Sequence, residues 1–229
     1  MCTVIVKTGD PLTLLGVRDE FADRPWQGPG EYWPDHPGVI GGRDLEAGGT
    51  WLAVDPVTRR AAALLNGWGR PADESTRTSR GDLPLLALDA DGLPDVDLTR
   101  YDPFHLVLAS PAGAWLWSWD GEAVTSARLP DGTSVIVNSG LDEASPKVAA
   151  LRPLFDAAID WRAPMAADPT DDLDALVIRH ELPDGRVYAT LSATLLTLGE
   201  DGVGYDFSDL TGWNSVSTSR VDRGVSPHG

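Results

Sequence analysis

The chain has 229 residues and a formal net charge of −17, with 18 Lys and Arg against 35 Asp and Glu. That balance argues against a nucleic-acid partner, which needs clustered cations, and the length suits one large domain with a sizeable core. One cysteine excludes an intrachain disulfide framework and fits a reducing compartment; with no basic-then-apolar leader and no apolar run of spanning length, the expectation is a soluble, cytoplasmic protein.

Strand signals dominate in chain order. Residues 2–7 and 12–17 are short aliphatic runs around Thr8-Gly9-Asp10-Pro11, which reads as a hairpin. Strands are expected at 49–54 and 60–65, parted by Asp55-Pro56-Val57-Thr58, and at 104–109 and 114–119, parted by Pro111-Ala112-Gly113. Two further pairs follow the same rule: 123–129 with 134–138 about Pro130-Asp131-Gly132, and 176–181 with 188–198 about Pro183-Asp184-Gly185. The best helix is 145–161, with Ser145 as N-cap, Pro146 in the first turn, and Val148, Leu151, Leu154, Phe155, Ala158 and Ile159 at helical spacing; Pro153 interrupts it. A second helix is expected from 83 to 88. Residues 1–210 read as a single domain, and 211–229 as a polar, flexible tail.

Cys2 follows the initiator Met1 directly, so loss of Met1 leaves one residue carrying both a thiol and a free α-amine. Such an amine titrates near neutral pH and can serve as the base for its own side chain. The plainer reading is a buried cysteine opening a first strand. Arg18-Asp19 at the end of an apolar run sets a cation beside a carboxylate, either to hold a thiolate and orient an amine or as a strand-end salt bridge. Gly41-Gly42 and Gly48-Gly49 lie in no phosphate-binding spacing and are read as points of close backbone approach. The four histidines show no metal-ligand spacing, and His105, inside an apolar strand, reads as a satisfied core residue. Trp115, Trp117 and Trp119 alternate and so share one face, which is core, ligand wall or partner surface.

Several of these pieces occur together in order: Met1-Cys2-Thr3, Arg18-Asp19-Glu20-Phe21 with Arg24-Pro25, Leu45-Glu46-Ala47-Gly48-Gly49-Thr50-Trp51-Leu52, Asn66 closing a strand, Ser79-Arg80-Gly81-Asp82-Leu83, and Val137-Asn138-Ser139-Gly140-Leu141. The combination resembles the transport and Golgi organisation protein 2 family, also called the Asn-Arg-Asp-Glu family. The resemblance implies an α+β fold, a four-layer αββα sandwich of the N-terminal-nucleophile hydrolase type. It implies Cys2 as nucleophile, Arg18 and Asp19 orienting its amine, and Asn66 and Asn138 donating to an oxyanion, with a small acyl or amide compound as substrate and no cofactor. Two positions depart from the pattern: Val17 stands where the family usually has Asn, and Leu191 where it has an Arg, for which Arg179 or Arg186 would have to substitute. The competing expectation is a non-catalytic carrier that uses the same cleft for haem or an acyl lipid. Oligomeric state has no signature in the sequence.

Overall fold

Alternation along the first strand sorts the molecule into layers. In β1 (Thr3–Lys7), Val4 and Val6 belong to one buried cluster and Ile5 to another, because successive side chains leave a strand on opposite faces. The computed structural model describes residues 2–218. β1 forms an antiparallel hairpin with β2 (Leu12–Phe21), with Ile5 opposite Leu15 and Val6 opposite Leu14.

The chain then crosses to a second sheet and builds it in sequence order: β3 (Trp26–Gly30), β4 (Ile40–Asp44), β5 (Leu52–Asp55), β6 (Arg60–Asn66), helix α1 (Leu83–Ala90), β7 (Phe104–Ser110), β8 (Gly113–Trp119) and β9 (Val124–Arg128). It returns to the first sheet with β10 (Thr133–Ile136) beside β1, followed by α2 (Pro146–Ala157) and β11 (Arg179–Glu181). β12 (Val187–Gly199) lies beside β2, and β13 (Gly202–Ser208) and β14 (Trp213–Ser215) complete the sheet.

Val4, Val6, Leu14 and Leu196 of the first sheet meet Leu52, Val54, Ala63, Leu65 and Val107 of the second in a core between the sheets. On the outer face of the first sheet, Ile5, Leu15 and Val17 pack under Val148, Leu151 and Phe155 of α2. On the outer face of the second, Ala53, Ala62, Leu106 and Leu108 pack under Leu83, Leu85, Ala87 and Leu88 of α1. The layers are therefore helix, sheet, sheet and helix, each face burying the apolar half of its period. Truncating a fully buried side chain such as Leu14 to Ala would cost about 2–5 kcal/mol.

Four expectations need correction. Pro130-Asp131-Gly132 does not close a hairpin: β9 is an edge of the second sheet and β10 an edge of the first, so the turn carries the chain between layers. Helix α2 stops at Ala157, Ser145 makes no side-chain cap bond, and Ile159 is fully exposed rather than part of the apolar stripe. The polar stretch after 210 enters the sheet, because Trp213–Ser215 pairs with β13; the remainder of the expected tail, 219–229, lies outside the described residues. β11 is confined to Arg179–Glu181, although it pairs with β12 as expected. Trp115, Trp117 and Trp119 line the outer face of the second sheet, where Trp119 is buried and Trp115 stacks on Trp117 with 46% of its own surface exposed. Among the described residues, no helix is long and apolar enough to cross a membrane.

Candidate active site

The β1–β2 register opposes Thr3 and Val17, which brings Cys2 to the point where β2 outruns β1 and continues as Arg18 and Asp19, paired there with β12 alone. Alternation then separates these two. Val17 faces α2, Arg18 turns towards the second sheet, and Asp19 turns back towards α2. The pair is therefore no salt bridge: Arg18 reaches Asp44 at 3.4 Å, and Asp19 Oδ2 lies 3.8 Å from Lys147 Nζ.

Asp19 is buried to 2% exposure. Its Oδ1 accepts from Thr190 Oγ1 at 2.7 Å, and Thr190 Oγ1 in turn accepts from the main-chain N–H of Ile178 at 3.0 Å. The main-chain oxygen of Asp19 accepts from Tyr188 Oη at 2.8 Å and, over a long 3.8 Å, from Cys2 Sγ. Burial pushes the Asp19 carboxyl above its ordinary value, opposed by Lys147 and Thr190. Cys2 keeps some surface open to the cleft yet is densely surrounded. Burial pushes its thiol up, the Asp19 carboxylate adds to the rise, and Arg18 opposes it.

Above Cys2 opens a cleft of about 350 Å³, whose walls include Arg18, Trp51 and Asn66. The Arg18 guanidinium lies 4.3 Å from the centroid of the Trp51 ring, and burial pulls its pKa down, with Glu20 opposing. One wall exists because two glycines touch. Thr50 donates its N–H to Gly81 O at 2.7 Å, and a Cβ on Gly49 would stand 2.3 Å from that same oxygen. This contact joins 45–52 to 79–83 and carries Arg80 to the cleft. Arg80 Nη1 donates to Pro103 O at 2.7 Å.

Of the residues singled out in the sequence, Cys2, Arg18 and Asn66 line the cleft, whereas Asp19 and Asn138 stand behind it. Asn138, 5% exposed, donates from Nδ2 to the main-chain oxygen of Asn66 at 2.7 Å. Its own main-chain oxygen lies 3.1 Å from His105 Nε2, and His105 Nδ1 is 2.7 Å from Ser118 Oγ. A carbonyl only accepts, so His105 carries its proton on Nε2 and takes the Ser118 hydroxyl at Nδ1. Leu191 falls where the β2–β12 register shifts between Thr190 and Ser192, and it does not line the cleft. Neither substitute arginine lines it: Arg186 pairs with Asp184 at 2.8 Å and lies over Phe21, and Arg179 is exposed on β11. Lys147, Thr190 and Arg80 were given no role from sequence. Lys147 did leave a signal, a lysine in the first turn of a helix where the dipole favours acids.

Among the described residues, no three His, Cys, Asp or Glu side chains gather as a metal site. His36 pairs with Asp89 at 2.9 Å, and none of His36, His105 and His180 lines the cleft; His228 lies outside the described residues.

Solved structures with the same fold include two forms of the conjugated bile acid hydrolase from Clostridium perfringens. A cysteine-to-alanine mutant has TM-score 0.58 and 10% identity, covering 94% of this chain and 92% of its own. An arginine-to-leucine variant has TM-score 0.59 at the same identity and coverage, 10%, 94% and 92%. The Caenorhabditis elegans orthologue of N-acylethanolamine-hydrolyzing acid amidase has TM-score 0.50 and 12% identity, covering 85% of this chain and 92% of its own. These similarities establish the N-terminal-nucleophile hydrolase fold. No curated protein matches the sequence. The profile of the Transport and Golgi organisation 2 family matches residues 1–194.

Proposed function

The chain belongs to the Transport and Golgi organisation 2 family, and from that premise we propose that it is an amidohydrolase-like protein with Cys2 as its nucleophile, acting on a small acyl or amide compound. The observation that supports this reading is the shared cleft of Cys2, Arg18 and Asn66, with the Asp19 carboxylate fixed directly behind. Once Met1 is lost, the Cys2 α-amine takes the thiol proton as sulfur attacks the carbonyl carbon, and returns it to the leaving amine as the tetrahedral intermediate collapses to a thioester. Water, deprotonated by the same amine, then releases the acid. Asp19 orients the ammonium form of that amine, and the Asn66 side chain donates to the developing oxyanion, a contact worth about 3–4 kcal/mol at well-built sites. A steady-state screen of short N-acyl amides and thioesters, run with Cys2→Ala beside the unaltered protein, tests the reading. Equal rates in the two proteins would sink it.

A second reading has its own support. Burial favours the protonated thiol, and Leu191 occupies the position where the family carries an arginine. Both features suit a carrier that holds haem or an acyl lipid in the same cleft without cleaving it. For haem the axial group that the cleft offers among the described residues is Cys2, since His36, His105 and His180 lie elsewhere. Tryptophan quenching by haem that saturates only at nonspecific concentrations would remove this reading.

A further inference from the structure

Charge in the cleft runs against charge in the chain. The protein carries a formal −17, yet Arg18, Arg24, Arg77 and Arg80 converge on the cleft, facing the carboxylates Glu20, Asp44 and Asp102. Pairing among them is uneven. Asp44 accepts from Arg24 Nε at 2.6 Å and from Arg24 Nη2 at 3.0 Å, and Arg18 Nη2 approaches it at 3.4 Å. Asp102 takes Arg77 at 3.4 Å, and Glu20 Oε1 accepts the N–H of Phe21 at 2.9 Å.

Two guanidinium groups are left short of acceptors. Arg18 is 3% exposed, and its Nη1 has no hydrogen-bond partner. Arg80 is half-buried and bonds the neutral carbonyl of Pro103; among the described residues no carboxylate lies within ion-pair distance of it. A buried donor without an acceptor is destabilising, and the Asp102 carboxylate acts on the partly desolvated Arg80 without forming an ion pair with it, so both guanidinium groups have capacity left for an anion. Both groups line the cleft that Cys2 opens into. A carboxylate or phosphate suits them, because each guanidinium offers a planar fork of donors to paired oxygens.

We propose that Arg18 and Arg80 bind an anionic group of the ligand, a carboxylate or phosphate, so that the compound taken by this cleft is an acyl compound with an acidic group close to the bond at Cys2. The size of the cleft agrees: about 350 Å³ is at the small end of ligand sites and leaves little length between the acid and the reacting carbonyl. The substrate class rests on the hydrolase reading above; anion binding itself does not.

The test uses the full chain carrying Cys2→Ala, which removes turnover during the titration. N-octanoylglycine, N-octanoylglycinamide and octyl phosphate are titrated by calorimetry. At least one anion should bind about tenfold or more tightly than the neutral amide, the difference shrinking as salt is raised. The better of the two anions identifies the acidic group. Arg80→Gln should abolish the preference and Arg80→Lys retain part of it. Because Arg80 also holds the Pro103 carbonyl, the comparison of ligands with Arg80 intact decides the matter even if the variants do not fold. Equal binding of amide and anions, or binding of none, overturns the proposal. Charge-selective binding by Cys2→Ala without turnover by the unaltered protein would overturn the hydrolase reading and keep this one. Turnover of N-octanoylglycine and its amide with equal kcat/KM would do the reverse.

Discussion

Asn138 Nδ2 donates to the main-chain oxygen of Asn66 at 2.7 Å, tying the segment after β10 in one sheet to the end of β6 in the other. The two asparagines therefore differ in duty although both end strands. Asn66 is exposed at the cleft, and Asn138 is buried behind it with its Oδ1 lacking a partner.

Asn138→Ala should destabilise the protein by about 1–3 kcal/mol, since a buried bond between the sheets is lost. Asn66→Ala should change stability by no more than about 0.5 kcal/mol, because its side chain is exposed. Urea unfolding of both variants reads this contrast. If Asn66 is the oxyanion donor, the same Asn66→Ala variant should lose about 10²–10³-fold in kcat. An Asn138→Ala protein as stable as the unaltered one would mean that the tether carries no weight.

Lys147 is 2% exposed and reaches the Asp19 carboxylate at 3.8 Å and Leu173 O at 3.4 Å. Removing Lys147 takes one cation from the buried Asp19 carboxylate, which keeps its bond from Thr190, so Lys147→Met should cost about 1–3 kcal/mol. The double variant Lys147→Met with Asp19→Asn should recover part of that loss, as the carboxylate charge is gone. A double-mutant cycle by thermal or urea unfolding measures the coupling, and additivity of the two losses would show that the pair does not interact.

Gly49→Ala should be among the worst glycine substitutions in the chain. The new Cβ would meet the main-chain carbonyl of Gly81 at 2.3 Å, and backbone cannot swing aside as a side-chain tip can. The cost is about 1–3 kcal/mol. The displaced segment carries Arg80, so charge-selective binding should weaken together with stability. Retained selectivity in a destabilised Gly49→Ala protein would separate the glycine contact from the placement of Arg80.

Much of the fold could be read from local pattern, and much of the site could not. Runs such as Ala61 to Leu65 and Phe104 to Ala109 gave β6 and β7 because they are apolar, short and bounded by turn residues. β3 and β4 escaped because a stretch holding Gly28, Pro29, Gly30, Gly41 and Gly42 carries no strand-like apolar run, although Gly41-Gly42 does read as a point of close backbone approach. At Gly41 and Gly42 a Cβ would strike Leu52 O at 2.6 Å and the Trp51 ring at 2.3 Å, so glycine there marks crowding and not a turn. Pro130-Asp131-Gly132 was legible as a turn, but turn chemistry does not say which sheet receives the next strand. Cys2 could be picked out by its place behind Met1 and Arg18 by the strand end it closes, whereas Asn66 as a site residue follows from the family resemblance. Lys147 and Thr190 could not, since their contacts with Asp19 depend on which helix covers which face and on the bulge at Leu191.

Labelling of Cys2 across pH joins the site's electrostatics to its chemistry. Burial is the main cause raising the thiol pKa, Asp19 adds to it and Arg18 works against it, so the folded protein holds this proton more tightly than the unfolded chain, where a thiol titrates near pH 8.5. The stabilising share of that difference is fully present below about pH 8.5 and is lost as pH rises through the folded value. Iodoacetamide should therefore react slowly at pH 7, and the rate should keep rising beyond pH 8.5. Asp19→Asn should speed labelling at a fixed pH and Arg18→Leu should slow it, in line with the sign each charge exerts. Intact-mass spectra follow the single thiol adduct and separate chains that keep Met1 from chains that begin at Cys2. In the latter the α-ammonium sits on the reacting residue and favours thiolate, so these chains should label faster. Equal, slow labelling of both forms would leave the amine without influence on the thiol. An amine that cannot shift its own thiol cannot serve it as a base, and that result would transfer the cleft from the hydrolase reading to the carrier.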